Sequence, residues 1–105
     1  MKHTSHLSIL KDIGLSETEA LTYEVLLEEG PASAAKIAAS TGVGRGIAYA
    51  ALTTLQEKGL IIERKGERTR FAAADPERLR KLADALRKRI EAAIPGLRSM
   101  YRRPR

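Results

Sequence analysis

The sequence predicts a mainly α-helical fold with one small β-hairpin, followed by a long C-terminal helix. Before residue 58, apolar residues recur at helical spacing in segments that end at glycines. The pattern then changes to two short β-type segments around a polar turn. From Leu79 to Met100, apolar residues recur every four and three residues, which is typical of a helix with an apolar seam. We expect residues 1–75 to form one domain, and residues 76–105 to form the helix and a basic tail.

Two helices are indicated near the N-terminus by their end signals. Ser16 and Glu19 form a capping-box pattern, in which each side chain accepts a hydrogen bond from the backbone N–H of the other residue. Gly30, which a proline follows, ends the helix that these residues begin. Upstream, residues 6–13 form a shorter amphipathic stretch that ends at Gly14.

Two further helices flank the segment GVGRG at residues 42–46. Ser33 is placed to cap a helix over residues 34–41. The next helix runs from Gly44 or Arg45 to Lys58, before a second glycine stop. The expected core faces of the two helices are Ala35, Ile37 and Ala38, and Ala48, Ala51, Leu52 and Leu55.

The glycine-rich segment does not fit a nucleotide-binding loop. A dinucleotide-binding loop has the pattern G-x-G-x-x-G after a buried strand, but isoleucine occupies position 47, where the third glycine is required. A P-loop requires Gly-Lys-Ser/Thr, which the segment also lacks. The remaining interpretation is a tight turn between two helices. In that turn, Gly44 and Gly46 leave room for a phosphate backbone at the start of the second helix.

A β-hairpin is predicted directly after this helix pair. Residues 60–64 and 70–74 form its strands, and residues 65–68 form its turn. The residues expected to face the core are Leu60, Ile62 and Phe71. Two helices joined by a tight turn and followed at once by a two-stranded wing make a winged helix-turn-helix. In that fold the second, or recognition, helix enters the major groove of DNA.

The C-terminal helix is predicted to begin with Asp75 as its N-cap and Pro76 at its first helical position. The pair Pro95-Gly96 predicts a kink or an end near Ile94. The apolar seam needs to be covered, so we expect this helix to make a homodimer, with packing against the chain's own first domain as the competing explanation. The expected dimer residues are Leu79, Ala83, Leu86, Ile90, Ala93 and Leu97.

Charge is unevenly distributed along the chain. The net charge is +6, and residues 77–105 carry ten Lys/Arg against three Asp/Glu, whereas residues 1–76 carry nine against ten. A basic chain favours a polyanionic partner, although a solvated charged helix has the same composition.

The absence of cysteine excludes disulfides, thiolate metal sites and thiol catalysis. No segment has the ~20 apolar residues of a membrane span, so we expect a cytoplasmic, nucleoid-associated protein without a membrane partner.

The segment from Gly14 to Ile61 resembles the winged-helix domain of TrmB-type archaeal transcriptional regulators, and the resemblance covers about residues 8–80. The residues that carry it are Gly14, Leu15, Ser16, Glu19, Ala20, Tyr23, Leu26, Leu27, Gly30, Pro31, Ile37, Ala38, Gly42, Val43, Arg45, Tyr49, Leu52, Leu55, Lys58, Gly59, Leu60 and Ala74 to Glu77. The resemblance implies a DNA-binding transcription regulator. Lys36, Gly46 and Ile47 depart from the family pattern, which is acidic at the first position and polar at the other two. The sequence ends about where longer family members begin a sugar-binding domain, so we expect no small-molecule effector site within it.

The candidate DNA contacts lie on the recognition helix, on the wing and on the helix that precedes the turn. They are Gly44, Arg45, Gly46, Tyr49, Ala50, Thr53 and Thr54; Arg64, Lys65, Arg68 and Arg70; and Ser33 and Lys36. Arg45 suits a guanine edge or a phosphate, unless it is an ordinary exposed side chain. Tyr49 either donates to a phosphate or packs against the wing.

The leading hypothesis is a homodimeric transcription regulator that binds double-stranded DNA. A sequence-tolerant nucleoid protein is an alternative, because the recognition helix is rich in small residues and the C-terminal third is basic. A winged-helix module for protein–protein interaction is another, because residues 1–76 are nearly neutral. The sequence contains no nucleophile with a base and an orienting group, so we expect no enzyme activity. We also expect no cofactor and no metal, since His3 and His6 alone are too few ligands.

Overall fold

The computed structural model describes residues 5–101 and has the predicted fold class: mainly helical, with one antiparallel hairpin and a long C-terminal helix. The elements are α1 (Leu7–Asp12), α2 (Glu17–Glu29), α3 (Ala34–Thr41), α4 (Arg45–Glu57), β1 (Ile61–Arg64), β2 (Arg70–Ala73) and α5 (Arg78–Met100). No helix within this described part of the chain has the length and hydropathy of a membrane span.

The helix ends that the sequence predicts are present in α2 and α3. Ser16 Oγ accepts from the Glu19 backbone N–H at 3.1 Å, and Glu19 Oε1 accepts from the Ser16 backbone N–H at 3.0 Å, which completes the capping box. Ser33 Oγ accepts from the Lys36 backbone N–H at 3.2 Å and caps α3. Gly42 then ends α3 in the left-handed conformation, with φ of 78°, which strongly favours glycine.

The core lies between α2, α3, α4 and the hairpin. Its largest fully buried side chains are Tyr23, Leu26, Ile37, Leu52, Leu55, Leu60, Ile61 and Thr22. All four residues predicted for the core face of α4 are buried. On α3 one prediction is wrong, because Ala35 is exposed and Ala34 is buried in its place. Ala34 lies three residues before Ile37, on the same side of the helix, whereas a separation of two residues puts Ala35 on the other side.

The prediction that Ile62 of the hairpin faces the core is also wrong. Ile62 is 47% exposed, whereas Ile61 is 2% exposed. The register pairs Phe71 with Glu63, so Ile61 shares the inward face with Phe71, and Ile62 points the other way. Phe71 itself is held in the core because its backbone exchanges two hydrogen bonds with Ala32, of 2.8 and 3.0 Å. This bridge ties the hairpin to the segment before α3.

The C-terminal helix begins two residues later than predicted and does not end near Ile94. Asp75 Oδ1 accepts from the Glu77 backbone N–H at 2.8 Å, and a turn of i→i+3 hydrogen bonds leads into α5. The helix then continues through Pro95 to Met100, so the predicted end is wrong. A proline removes the hydrogen bond to the carbonyl four residues before it, and here that carbonyl belongs to the exposed Glu91, which water can reach. The tail residues 102–105 lie outside the described residues.

Candidate nucleic-acid interface and dimer seam

The outward side of α4 presents most of the residues predicted to contact DNA. With the core face buried, Arg45, Gly46, Tyr49, Ala50 and Thr53 are exposed. Gly44 is also exposed, and Thr54 is half-buried. Within this set, Arg45 is the only cation. Gly44, Gly46 and Ala50 have small side chains or none, so the helix backbone can approach a ligand closely at these residues.

The first turn of α4 is open to an anion. Gly44 is its N-cap and supplies no side-chain cap, and the first turn contains no acidic residue. The first backbone N–H groups of a helix have no partner within the helix, and the helix dipole makes this end electropositive. Arg45 adds a full positive charge beside them. The arrangement suits a phosphate or an electronegative base edge.

Tyr49 joins α4 to the hairpin. Its ring meets that of Phe71 edge-to-face, with ring centroids 6.5 Å apart and an interplanar angle of 84°. The side chain is nevertheless 54% exposed. Tyr49 therefore packs against the wing, as one of the two interpretations of the sequence requires, and still has an open surface.

Two arginines lie directly opposite each other on the hairpin. Arg64 pairs with Arg70 across the two strands, and Lys65 and Arg68 follow in the turn. Within residues 5–101, the side chains of these four cations make no hydrogen bond or ion pair. Like charges directly opposite each other destabilise a β-ladder, and a bound anion would relieve the repulsion. The nearby Glu63 carboxylate does not pair with these cations and instead accepts a hydrogen bond from Gln56 Nε2 at 3.4 Å.

Four other cations among residues 5–101 are paired with carboxylates. Lys11 lies 3.6 Å from Glu17, and Lys58 lies 3.9 Å from Glu19 while it donates to the Gly14 carbonyl. Arg80 and Arg87 are likewise paired on α5, although further cations on that helix are not. The side chains of Lys36 and Arg45 have no such partner in the described part. Among residues 5–75, the unpaired cations thus fall on α3, α4 and the hairpin, where the sequence predicts DNA contacts.

Sequence reasoning missed Ile47. An open groove of about 190 Å³ separates α4 from the start of α2, and it is lined by Ser16, Thr18, Glu19, Ile47, Ala50, Ala51 and Thr54. Ile47 is 56% exposed there, one of the large exposed apolar side chains of the first domain. Helical spacing contained the signal, because Ile47 lies at the edge of the core face of α4, one turn before Ala51.

The apolar seam of α5 is largely uncovered within the chain. Leu79 is partly buried against the core, as is Leu82, and α5 contains no fully buried residue. Beyond the half-buried Leu86, Ile90 is 51% and Leu97 is 59% exposed, and Ala83 and Ala93 are also exposed. Packing on the first domain therefore accounts for the first turns of the helix only. The rest projects outward and gives the molecule an extent of 63 Å along its longest axis.

We predict that Gly46→Ala stabilises the fold and weakens DNA binding. Gly46 is helical, and a Cβ there would meet no atom within 4 Å, so alanine should raise the free energy of unfolding by about 0.5–1 kcal/mol. The added methyl group would separate the helix from an approaching DNA backbone. Urea unfolding and DNA titration measure the two effects. Gly96→Ala, at an exposed glycine of α5, is the matched control and should leave DNA affinity unchanged. Parental DNA affinity in Gly46→Ala would contradict a close approach at this residue.

No group of three or more potential metal ligands occurs among residues 5–101. His3 lies outside the described residues. His6 is the N-cap of α1, and its backbone N–H donates to Glu24 Oε2 at 2.7 Å.

A protein-family model described as "Sugar-specific transcriptional regulator TrmB" matches residues 10–77. Similar solved structures include TrmBL2, described as an archaeal chromatin protein with a novel mode of DNA binding; it has a TM-score of 0.77 and 21% identity over 90% of this chain and 38% of its own. The ST1889 protein of Sulfolobus tokodaii has a TM-score of 0.69 and 21% identity, over 84% of this chain and 97% of its own. The transcriptional regulator Tm0710 of Thermotoga maritima has a TM-score of 0.63 and 16% identity, over 89% of this chain and 69% of its own. The present chain thus spans little more than a third of the TrmBL2 chain.

Proposed function

Since this chain belongs to the TrmB family of transcriptional regulators, we propose that it is a regulator that binds double-stranded DNA as a homodimer. In this proposal α4 enters the major groove, and the hairpin lies on the phosphate backbone or in the adjacent minor groove. Residues 1–75 are the DNA-binding domain, and the rest of the chain supplies the dimer helix and the basic tail.

The observation that carries the DNA proposal is the set of unpaired cations around α4. Arg45 lies at the open start of the helix, Lys36 lies on α3, and Arg64 opposes Arg70 across the hairpin. Each would gain a partner from a phosphate backbone, and Ser33 and Tyr49 would add hydroxyl donors beside them. Carboxylates elsewhere in the first domain already pair with Lys11 and Lys58. A polyanion therefore complements this surface better than a neutral protein does.

The observation that supports the homodimer is the exposed seam of α5. An apolar stripe with heptad spacing over 23 helical residues is unfavourable in water, and a second copy of the same helix would cover it. The two recognition helices would then be held at a fixed separation. A twofold-symmetric dimer reads two half-sites related by the same symmetry, so the binding site should be palindromic.

Selection of bound sequences from a random DNA pool tests the proposal against its alternatives. Enrichment of a palindrome supports a sequence-specific dimeric regulator. Tight binding without any enrichment favours a nucleoid protein, an alternative that the small residues facing outward on α4 keep open. Failure to bind DNA at low salt would instead favour a protein–protein interaction module and contradict the proposal.

We predict that wing variants change the salt dependence of binding and not the sequence preference. Each Lys or Arg that neutralises a phosphate releases counterions, so Lys65→Ala or Arg68→Ala should reduce the slope of log affinity against log salt by about one unit. Affinity should fall about equally for all DNA sequences. Fluorescence titration at several salt concentrations measures the slope. Lys11→Ala, which removes a cation that is already paired with Glu17, is the control and should leave the slope unchanged. Unchanged slopes for the wing variants would remove the hairpin from the interface.

A further inference from the structure

The groove beside α4 contains an apolar side chain that neither the fold nor a phosphate contact uses. Ile47 is 56% exposed at the third position of the helix, one turn before Ala50 in the same groove. Its neighbour Ala48 supplies the core contact instead, with no exposed surface. An isoleucine here gains nothing from water and cannot bond to a phosphate oxygen. It would gain free energy if an apolar group covered it.

Hydrogen-bond donors are scarce on this part of α4. Thr53 Oγ1 donates to the Tyr49 carbonyl at 2.9 Å, so the proton of its hydroxyl is used inside the helix. Gly46 and Ala50 have no polar side-chain group. Apart from Tyr49, which packs against Phe71 of the wing, the side chains between Arg45 and Thr53 therefore offer a base edge apolar contact and no further donor.

Only one base presents an apolar group in the major groove of unmodified DNA. Thymine carries its C5-methyl group there, whereas the edges of adenine, guanine and cytosine present hydrogen-bond donors and acceptors. Alanine and other apolar side chains contact this methyl group in known forms of base recognition. The groove also has polar lining residues on α2 and at Thr54, but its exposed apolar part, Ile47 with Ala50, matches the methyl group of thymine.

We propose that Ile47, supported by Ala50, determines specificity by packing against the C5-methyl group of thymine. This proposal rests on the DNA-binding function above and adds the base that α4 prefers. Arg45, at the adjacent end of the helix, would supply charge, and Ile47 would supply the preference for A·T pairs at its position. The contact needs no hydrogen bond, so it remains available where donors are lacking.

Deoxyuridine tests the proposal directly, because it differs from thymidine only by the missing methyl group. The probe is the duplex enriched in the random-pool selection, or a 20-base-pair alternating A·T duplex if nothing is enriched. Each duplex is prepared in two forms, one with thymidine and one with deoxyuridine at every thymine position. Burial of one methyl group corresponds to about fourfold in affinity. We therefore expect the parent protein to bind the deoxyuridine duplex at least about fourfold more weakly, and the difference to fall toward onefold in Ile47→Ala.

Ile9→Ala is the matched control, since Ile9 is 61% exposed on α1 and lies outside α4 and the hairpin. It should keep the parental ratio. Equal binding of both duplexes by the parent protein would overturn the inference while leaving DNA binding intact. An unchanged ratio in Ile47→Ala, or a selected motif without thymine, would also overturn it. Absence of binding to either duplex would contradict the proposed function itself.

Discussion

If the protein is the proposed homodimer, replacing Leu86 and Ile90 together by glutamate is expected to make it a monomer. Both residues lie on the seam of α5, one turn apart, and Ile90 is 51% exposed within the single chain. In a dimer they would be buried against the partner helix, where an unpaired carboxylate is strongly unfavourable. Sedimentation equilibrium measures the mass directly. The first domain should stay folded, because neither residue belongs to its core.

The control for this experiment lies on the same helix. Ala85 and Ala92 are exposed and lie away from the seam, so Ala85→Glu with Ala92→Glu introduces the same two charges without entering the interface. This variant should remain a dimer. If the seam variant keeps its dimeric mass while folded, or if the control variant also dissociates, the seam of α5 is not the interface.

Loss of the dimer should also reduce DNA binding. When two linked recognition helices bind two half-sites, the second contact is intramolecular, and the gain in affinity is typically about 10²–10⁴-fold. The monomeric variant should lose a factor of this order on a palindromic duplex. On a duplex that contains one half-site, the seam variant and the parent protein should bind with similar affinity. This comparison separates a dimer-linked loss from damage to the DNA-binding surface.

The parts of this fold that follow from local rules could be predicted from the sequence. The capping box at Ser16 and the left-handed glycine at position 42 are set by residues a few positions apart, and the core face of α4 follows from helical spacing alone. The strand faces could not be predicted in the same way. In a strand of four residues, either set of alternate residues can face the core, and the register that pairs Phe71 with Glu63 decides which set does. Phe71 also bridges to Ala32, far away in the sequence.

In the candidate site too, some features could be predicted from the sequence and others depend on the folded chain. Helical spacing predicted that Arg45 and Tyr49 are exposed, because residues away from the core face of a helix point outward. The polar turn between two β-type segments predicted the exposed cations of the hairpin. The direct opposition of Arg64 and Arg70 depends on the hairpin register, which the sequence alone did not reveal. The continuation of α5 through Pro95 is a third case. Proline ends most helices, but here the carbonyl that it leaves without a donor belongs to the exposed Glu91, and that exposure is a property of the folded chain.

Replacing Arg45 by alanine is expected to weaken binding to the preferred DNA site by about 1–3 kcal/mol, the range of one bidentate contact to a guanine edge. The loss on random DNA should be smaller. Arg45 lies in the first turn of α4, where a cation interacts unfavourably with the helix dipole, and its side chain has no ion pair within residues 5–101. The variant should therefore be at least as stable as the parent protein. Weaker binding together with equal or higher stability would identify Arg45 as a residue that serves binding and not folding.

Arg45→Lys distinguishes the two contacts that the arginine can make. Lysine keeps the positive charge but lacks the planar, two-pronged guanidinium group, so it replaces arginine at a phosphate better than at a guanine edge. If Arg45 recognises a base, Arg45→Lys should lose most of the affinity for the preferred site and keep the affinity for random DNA. If both DNAs are bound as tightly as by the parent protein, Arg45 contacts a phosphate. Equal losses on the two DNAs for Arg45→Ala, of the kind expected for Arg68→Ala, would lead to the same conclusion, and sequence preference would then depend on the remaining surface of α4.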